Sequence, residues 1–228
     1  MRPVASVATG SVVNTSQTSK VIRNTYSLLA ITLIFSAITA GVSMTINPPW
    51  FTGLICSLTA MALIWFVLPR TANSVAGLGV AFAITGLLGF GLGPILNHYL
   101  GMANGGAIIM QAMATTGITF LALSAYVLTT KKDFSFMGGF LMAGLIAVIV
   151  LALVVMVSSM FGVDVSGFSL AISGLVVLLM CGLILFETSN IVNGGETNYI
   201  MATVGLYLSI YNLFTALLHL IGAFSGDD

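Results

Sequence analysis

Seven long apolar stretches alternate with short polar connections along the chain. Each stretch is close to the roughly 20 mostly apolar residues that a helix needs to cross the hydrocarbon core of a bilayer. The pattern therefore predicts an all-α membrane protein built as a bundle of seven transmembrane helices. We place these helices at about residues 25–46, 50–68, 75–96, 107–128, 134–160, 167–186 and 199–224.

The seventh stretch is the least clearly apolar of the seven. It contains five polar or amphipathic side chains, namely Tyr207, Ser209, Tyr211, Asn212 and His219. Two alternatives follow, a full crossing of the membrane and a re-entrant hairpin that returns the C-terminus to the side it came from. We favour the full crossing, which puts the two termini on opposite sides.

Lysine and arginine fall on one side of the predicted bundle. They lie in the N-terminal segment and in the connections after the second and fourth helices: Arg2, Lys20, Arg23, Arg70, Lys131 and Lys132. The connections after the first, third and fifth helices contain none. Positive charge resists translocation across the membrane, so we expect the N-terminus in the cytoplasm.

The composition agrees with lipid as the main solvent of the chain. Charged residues make up 5% of the sequence and apolar residues 58%, whereas a soluble domain carries roughly 25% charged residues. The net charge of zero argues against nucleic acid as a partner. Cys56 and Cys181 lie inside apolar stretches, which indicates buried thiols rather than a disulfide or a metal pair.

The first 19 residues differ from the rest of the chain. Serine, threonine, glycine and asparagine recur there without periodicity, which predicts a disordered cytoplasmic tail at residues 1–19. Residues 20–228 then form the transmembrane domain. If fully extended, such a tail reaches roughly 65–70 Å.

Two helices carry a stripe of small or polar residues on one face. Gly86 and the Gly89/Gly93 pair in the third helix follow the spacing of a tight helix–helix contact. The stripe in the seventh helix is polar, with spacings of four, three, four and three residues: Gly205, Ser209, Asn212, Ala216 and His219. Lipid does not solvate such side chains, so we expect this face inside the bundle and the seventh helix at its centre. Its role is either interhelical hydrogen bonding or a polar pathway.

Glu187 is the main charged candidate. It is predicted to close the sixth helix near the cytoplasmic edge of the hydrocarbon, where a carboxylate needs a partner or water. Arg70 and Lys132 are candidate ion-pair partners because both are expected at the same edge. An ordinary interfacial carboxylate and a protonation-gated latch are both compatible with this position.

The sequence does not predict a catalytic, cofactor or metal site. Ser173 and His219 are expected at a similar depth, but Ala171 replaces the glycine of a Gly-x-Ser-Gly turn and nothing nearby suggests an oxyanion hole. Two histidines are too few for a three-histidine zinc site. Four oxygen-bearing residues near Glu187 lack the spacing of an EF-hand: Asn190, Asn193, Glu196 and Asn198.

Several separated motifs resemble the Bax inhibitor-1 (TMBIM) family of membrane proteins, and its bacterial YccA-like branch in particular. They are Lys20–Tyr26, Gly93-Pro94, Thr130–Ser135, Leu185–Ile191 and Leu206–Phe214. The resemblance covers nearly all of the chain after residue 19. It implies a seven-helix bundle with the last helix central, located in the bacterial inner membrane. Seven crossings from a cytoplasmic N-terminus then place the C-terminus in the periplasm.

The resemblance also implies two activities. The YccA-like branch is associated with restraint of FtsH, a membrane-anchored AAA+ protease, and we expect the tail at residues 1–19 to engage that partner. The alternative is a pH-sensitive Ca²⁺ or cation leak along Glu187, Ser209, Asn212 and His219. Leak-type members carry two gating aspartates, where this sequence has Glu187 and Ser209. One carboxylate beside a hydroxyl does not share a proton as two carboxylates do, so protease modulation is the preferred prediction.

Overall fold

A computed structural model describes residues 9–225, with side chains from residue 16 onward. Within that range the chain is helical without strands, and seven helices are long and apolar enough to cross a membrane. They are α1 (Thr9–Ile46), α2 (Thr52–Thr71), α3 (Val75–Leu100), α4 (Gly105–Thr130), α5 (Gly138–Met160), α6 (Ser166–Val192) and α7 (Tyr199–Ser225). The predicted all-α, seven-helix class is confirmed.

Helix α1 begins earlier than the sequence suggested. It starts at Thr9 and so includes residues 9–19 of the predicted tail, while residues 1–8 lie outside the described part of the chain. No proline and only one glycine, Gly41, occur between residues 11 and 46, so nothing interrupts the helix. At 38 residues α1 is roughly 57 Å long, nearly twice the hydrocarbon thickness of about 30 Å.

Helix α2 also runs past its predicted end at Leu68. It continues through Pro69 to Thr71, and a π-helical turn at Leu63–Val67 precedes the proline. Proline lacks an N–H and its ring crowds the carbonyl four residues earlier, and a wider turn relieves that conflict.

Helix α7 is one continuous helix of 27 residues, which rules out the re-entrant hairpin within the described residues. It packs against α1, α3, α4 and α6. The two remaining helices lie farther out, α2 against α3 and α5 against α6. The predicted central position of α7 is therefore confirmed, with four helices packed around it.

Glycines hold α3 close to α1. A Cβ at Gly89 would collide with the carbonyl oxygen of Ser36, and one at Gly93 would collide with Ser43. Gly86 faces the ring of Phe35 in the same way. The predicted packing role of this stripe is confirmed, because the absence of side chains lets the two backbones approach.

The two ends of the bundle differ in charge. The basic end carries every lysine and arginine of the described chain: Lys20, Arg23, Arg70, Lys131 and Lys132. There the Asn198 amide donates to the carbonyl of Ala72 at 3.0 Å. At the other end, here called the opposite end, Asn97 donates to the carbonyl of Met44 at 3.0 Å. Each of these bonds joins two parts of the chain that are distant in sequence.

Candidate functional site

Glu187 lies within α6 and does not close it, contrary to the prediction. The helix continues five residues further, to Val192, and Gly194 follows with a φ of +77°. The polar residues after Glu187 do not break the helix because their side chains bond to neighbouring elements. Ser189, for example, accepts a hydrogen bond from the backbone N–H of Phe134 at 2.8 Å.

The carboxylate of Glu187 packs directly on α7. Ser209 donates a hydrogen bond to Oε2 of Glu187 at 2.8 Å. A Cβ at Gly205, one turn earlier, would lie 2.8 Å from Oε1. Gly205 therefore leaves the space that the carboxylate occupies, and Ser209 supplies its hydrogen-bond donor.

The two predicted ion-pair partners engage other groups. The guanidinium of Arg70 donates to the carbonyl of Phe66 in its own helix. The ammonium of Lys132 lies 5.5 Å from the centre of the Tyr126 ring. Both cations are exposed at the basic end, whereas Glu187 turns inward to α7. The expected ion pair is therefore absent from the described structure, because a hydroxyl on α7 takes the place of a cation.

The opposite end of the α6–α7 interface holds a second polar contact. Nδ1 of His219 lies 2.8 Å from Oγ of Ser173, which also donates to the carbonyl of Ser169 at 3.0 Å. The tautomer of His219 decides which of the two groups donates in this contact. Ser173 lies inside a helix whose backbone N–H groups are bonded within it, so α6 offers no oxyanion donors beside this hydroxyl.

The polar stripe of α7 thus faces α6 at both ends. Asn212, between the two contacts, donates to the carbonyl of Leu208 in its own helix at 2.9 Å, and Ala216 is buried. The structure brings Glu187 to Ser209 and His219 to Ser173 but shows no hydrogen-bonded chain between the two pairs among the described residues.

A sequence model of one protein family, described as inhibitor of apoptosis-promoting Bax1, matches residues 18–226. The chain belongs to the Bax inhibitor-1 family. The resemblance noted from its motifs is therefore confirmed. The two positions where leak-type members carry aspartates, here Glu187 and Ser209, are in direct contact.

Bacterial relatives within this family match along almost the whole chain. An uncharacterized membrane protein of Vibrio cholerae is 49% identical over 220 residues, which is 96% of each chain. The modulator of FtsH protease YccA of Escherichia coli K12 is 51% identical over 210 residues, 92% of this chain and 93% of that protein. The inner membrane protein YccA of Escherichia coli O6:H1 matches with the same identity and coverage.

The sequence did not predict one buried polar contact, which the hydroxyl of Tyr207 makes. The hydroxyl of Tyr207 donates to the carbonyl of Thr85 at 3.2 Å and lies 2.6 Å from Oγ of Ser36. It joins α7, α3 and α1, and the Tyr207 side chain is only 1% exposed. A tyrosine in a transmembrane stretch is a recognisable signal, but the sequence does not show that its hydroxyl finds partners on two other helices.

The residues considered for metal binding have structural partners instead. Asn193 donates to Ser189, Glu196 accepts from the backbone N–H of Asn198, and Asn198 bonds to Ala72. Within the described chain no three His, Cys, Asp or Glu side chains gather in a way that would hold a metal ion. The two cysteines, Cys56 and Cys181, are free thiols.

Proposed function

We propose that this protein restrains a membrane-anchored AAA+ protease of the FtsH type, as a regulator and not as an enzyme. The observation that carries the proposal is the relative named modulator of FtsH protease, which is 51% identical over 92% of the chain. Such an identity over all seven helices favours the same kind of partner in the same membrane. We accordingly assign the protein to the bacterial inner membrane.

The proposed contact is the N-terminal segment. The distribution of lysine and arginine favours a cytoplasmic N-terminus and a periplasmic C-terminus. The basic end of α1 would then present the N-terminal segment to a protease that acts on the cytoplasmic side.

A protease that pulls on this segment would have to extract α1, which packs tightly against α3. Helix α1 lies directly against Gly89 and Gly93 of α3, and Ser36 bonds to the buried Tyr207. A substrate that is engaged but not extracted occupies the protease and inhibits it competitively.

We do not extend the proposal to a calcium leak. The site offers one carboxylate, and its Oε2 already accepts a hydrogen bond from Ser209. A Ca²⁺ ion takes six to eight oxygen ligands, and no comparable group of oxygens surrounds Glu187 among the described contacts.

The test uses the purified full-length protein and the protease together in liposomes, with degradation of a membrane substrate as the readout. Three forms are compared: the wild type, a deletion of residues 1–19, and a form with an unrelated Gly/Ser segment in their place. We expect the wild type to inhibit and the deletion to lose inhibition while residues 20–228 keep the helix content of the seven-helix bundle. Inhibition by the deleted form would refute the tail contact, and absence of inhibition by the wild type would refute the function itself.

A further inference from the structure

An apolar groove separates α1 from α4 on the lipid-facing surface, with α7 as its floor. Its volume is about 590 Å³. The lining contains no charged residue; representative members are Leu33, Ala37, Gly41, Met113, Gly117 and Phe214. Several of these side chains are exposed, including Met113 at 57%, so the groove is open to the surroundings along its side.

The groove is closed towards the basic end and open towards the opposite end. The rings of Tyr26 on α1 and Phe120 on α4 lie 6.1 Å apart and join the two helices at the closed end. The lining extends along α4 from Phe120 to Gly106, close to the end of that helix. The 14 steps between Gly106 and Phe120 correspond to roughly 21 Å of helix, which is about two-thirds of a hydrocarbon core about 30 Å thick.

Glycines keep the groove open. A Cβ built at Gly41, Gly106 or Gly117 would meet no atom within 4 Å. By contrast, the glycines of α3 that face α1 are in close contact with that helix. The groove glycines therefore do not serve helix packing within this chain.

The polar atoms in the lining already have partners. Ser36 and Tyr207 bond to each other, and the hydroxyl of Thr116 donates to the carbonyl of Ala112 at 2.7 Å. Water is a poor occupant because it needs two to four polar partners and the walls are apolar. Apolar pockets of 300–1,000 Å³ between the helices of a bundle are typical binding sites.

We propose that this groove binds one acyl chain of a membrane lipid from the leaflet at the opposite end. The headgroup stays at the connection between α3 and α4, and the chain runs inward to the contact between Tyr26 and Phe120. Lipid hydrocarbon surrounds the protein at that depth. The length of the groove, its apolar walls and its single open end match the shape and chemistry of an acyl chain.

The experiment uses the full-length protein in liposomes of phosphatidylethanolamine that contain a small fraction of phosphatidylethanolamine with a photoactivatable group at the end of one acyl chain. After illumination, the labelled residues are mapped by mass spectrometry. Two variants narrow the groove from either wall, Gly117→Leu and Gly41→Leu. The matched control is Gly79→Leu, because a Cβ at Gly79 would also meet no atom within 4 Å but this residue lies outside the groove.

We expect label to concentrate on groove residues such as Phe120 and Phe214 in the wild type and in Gly79→Leu. Both narrowing variants should lose that label severalfold while they keep the wild-type labelling of α5. Labelling of the groove no stronger than that of the lipid-exposed α5 would overturn the proposal. So would labelling that is unchanged in both narrowed variants. A third contrary result is capture of another membrane protein by a photoactivatable residue at position 113 in native membranes.

Discussion

The two ends of the α6–α7 interface satisfy buried polar side chains with different hydrogen-bonded contacts. At the basic end a carboxylate accepts a hydrogen bond from Ser209, and Gly205 leaves room for it. At the opposite end an imidazole and a hydroxyl, His219 and Ser173, bond at 2.8 Å. Both contacts satisfy polar groups that lipid does not solvate. Only the first depends on the space above a glycine.

This difference indicates at which end a substitution lowers the stability of the bundle more. The contact at Glu187 requires both a hydrogen-bond donor at Ser209 and free space at Gly205, whereas the contact at His219 requires only one donor and one acceptor. We therefore expect substitutions at the basic end to have the larger effects. The following predictions test that comparison from the largest expected effect to the smallest.

Gly205→Val is expected to have the largest effect, because the new side chain takes the place of the Glu187 carboxylate. Overpacking of this kind lowers stability by about 1–3 kcal/mol. Thermal unfolding in mild detergent measures the loss. Gly174→Val on α6 is the matched control at the opposite end, since a Cβ at Gly174 would meet no atom within 4 Å. Equal loss in both variants would contradict the comparison.

A double-mutant cycle should detect the contact between Glu187 and Ser209. The variants are Glu187→Leu, Ser209→Ala and the two combined, and we expect a coupling energy of about 0.6–1.7 kcal/mol, the range found for hydrogen bonds between transmembrane helices. Glu187→Gln should retain much of the contact, because the amide oxygen still accepts from Ser209. Additive effects of the two single changes would show that the hydrogen bond does not form.

Ser173→Ala and His219→Phe are expected to have smaller effects, about 0.6 kcal/mol each, because a single interhelical hydrogen bond is lost. The same unfolding experiment measures them. Their effects should be independent of Glu187→Gln, since no described hydrogen bond links the two ends. Strong coupling between His219→Phe and Glu187→Gln would instead support a continuous polar path along α7.

The smallest effects are expected at two aspartates in the connections. The backbone N–H of Ser135 holds the pKa of Asp133 below its ordinary value, and that of Ser166 does the same for the pKa of Asp164. A lowered pKa in the folded state contributes stability above the ordinary pKa, and that contribution is lost as the pH falls through the folded value. Asp133→Asn and Asp164→Asn should each flatten the acid limb of the stability profile slightly. A steeper acid limb in either variant would contradict this assignment.

Individual helices show which structural features the sequence could predict. The seven crossings follow from stretches of about 20 apolar residues, since hydrocarbon leaves the backbone no other partner than its own helix. The inward face of α7 was predictable from the spacing of Ser209 and His219. The helix ends were not predictable. Helix α1 starts before its predicted beginning. Helix α6 runs past its predicted end because polar residues such as Ser189 bond to a neighbouring element and do not terminate the helix.

The sequence by itself thus determined the number of helices, the packing stripe of α3 and the inward polar face of α7, because each is a periodic property of one segment. Only the tertiary structure decided that Glu187 meets Ser209 and not Arg70, that Tyr207 joins three helices, and that a groove opens between α1 and α4. Each of these depends on the distance between side chains on helices far apart in sequence, and no pattern within one helix specifies that distance.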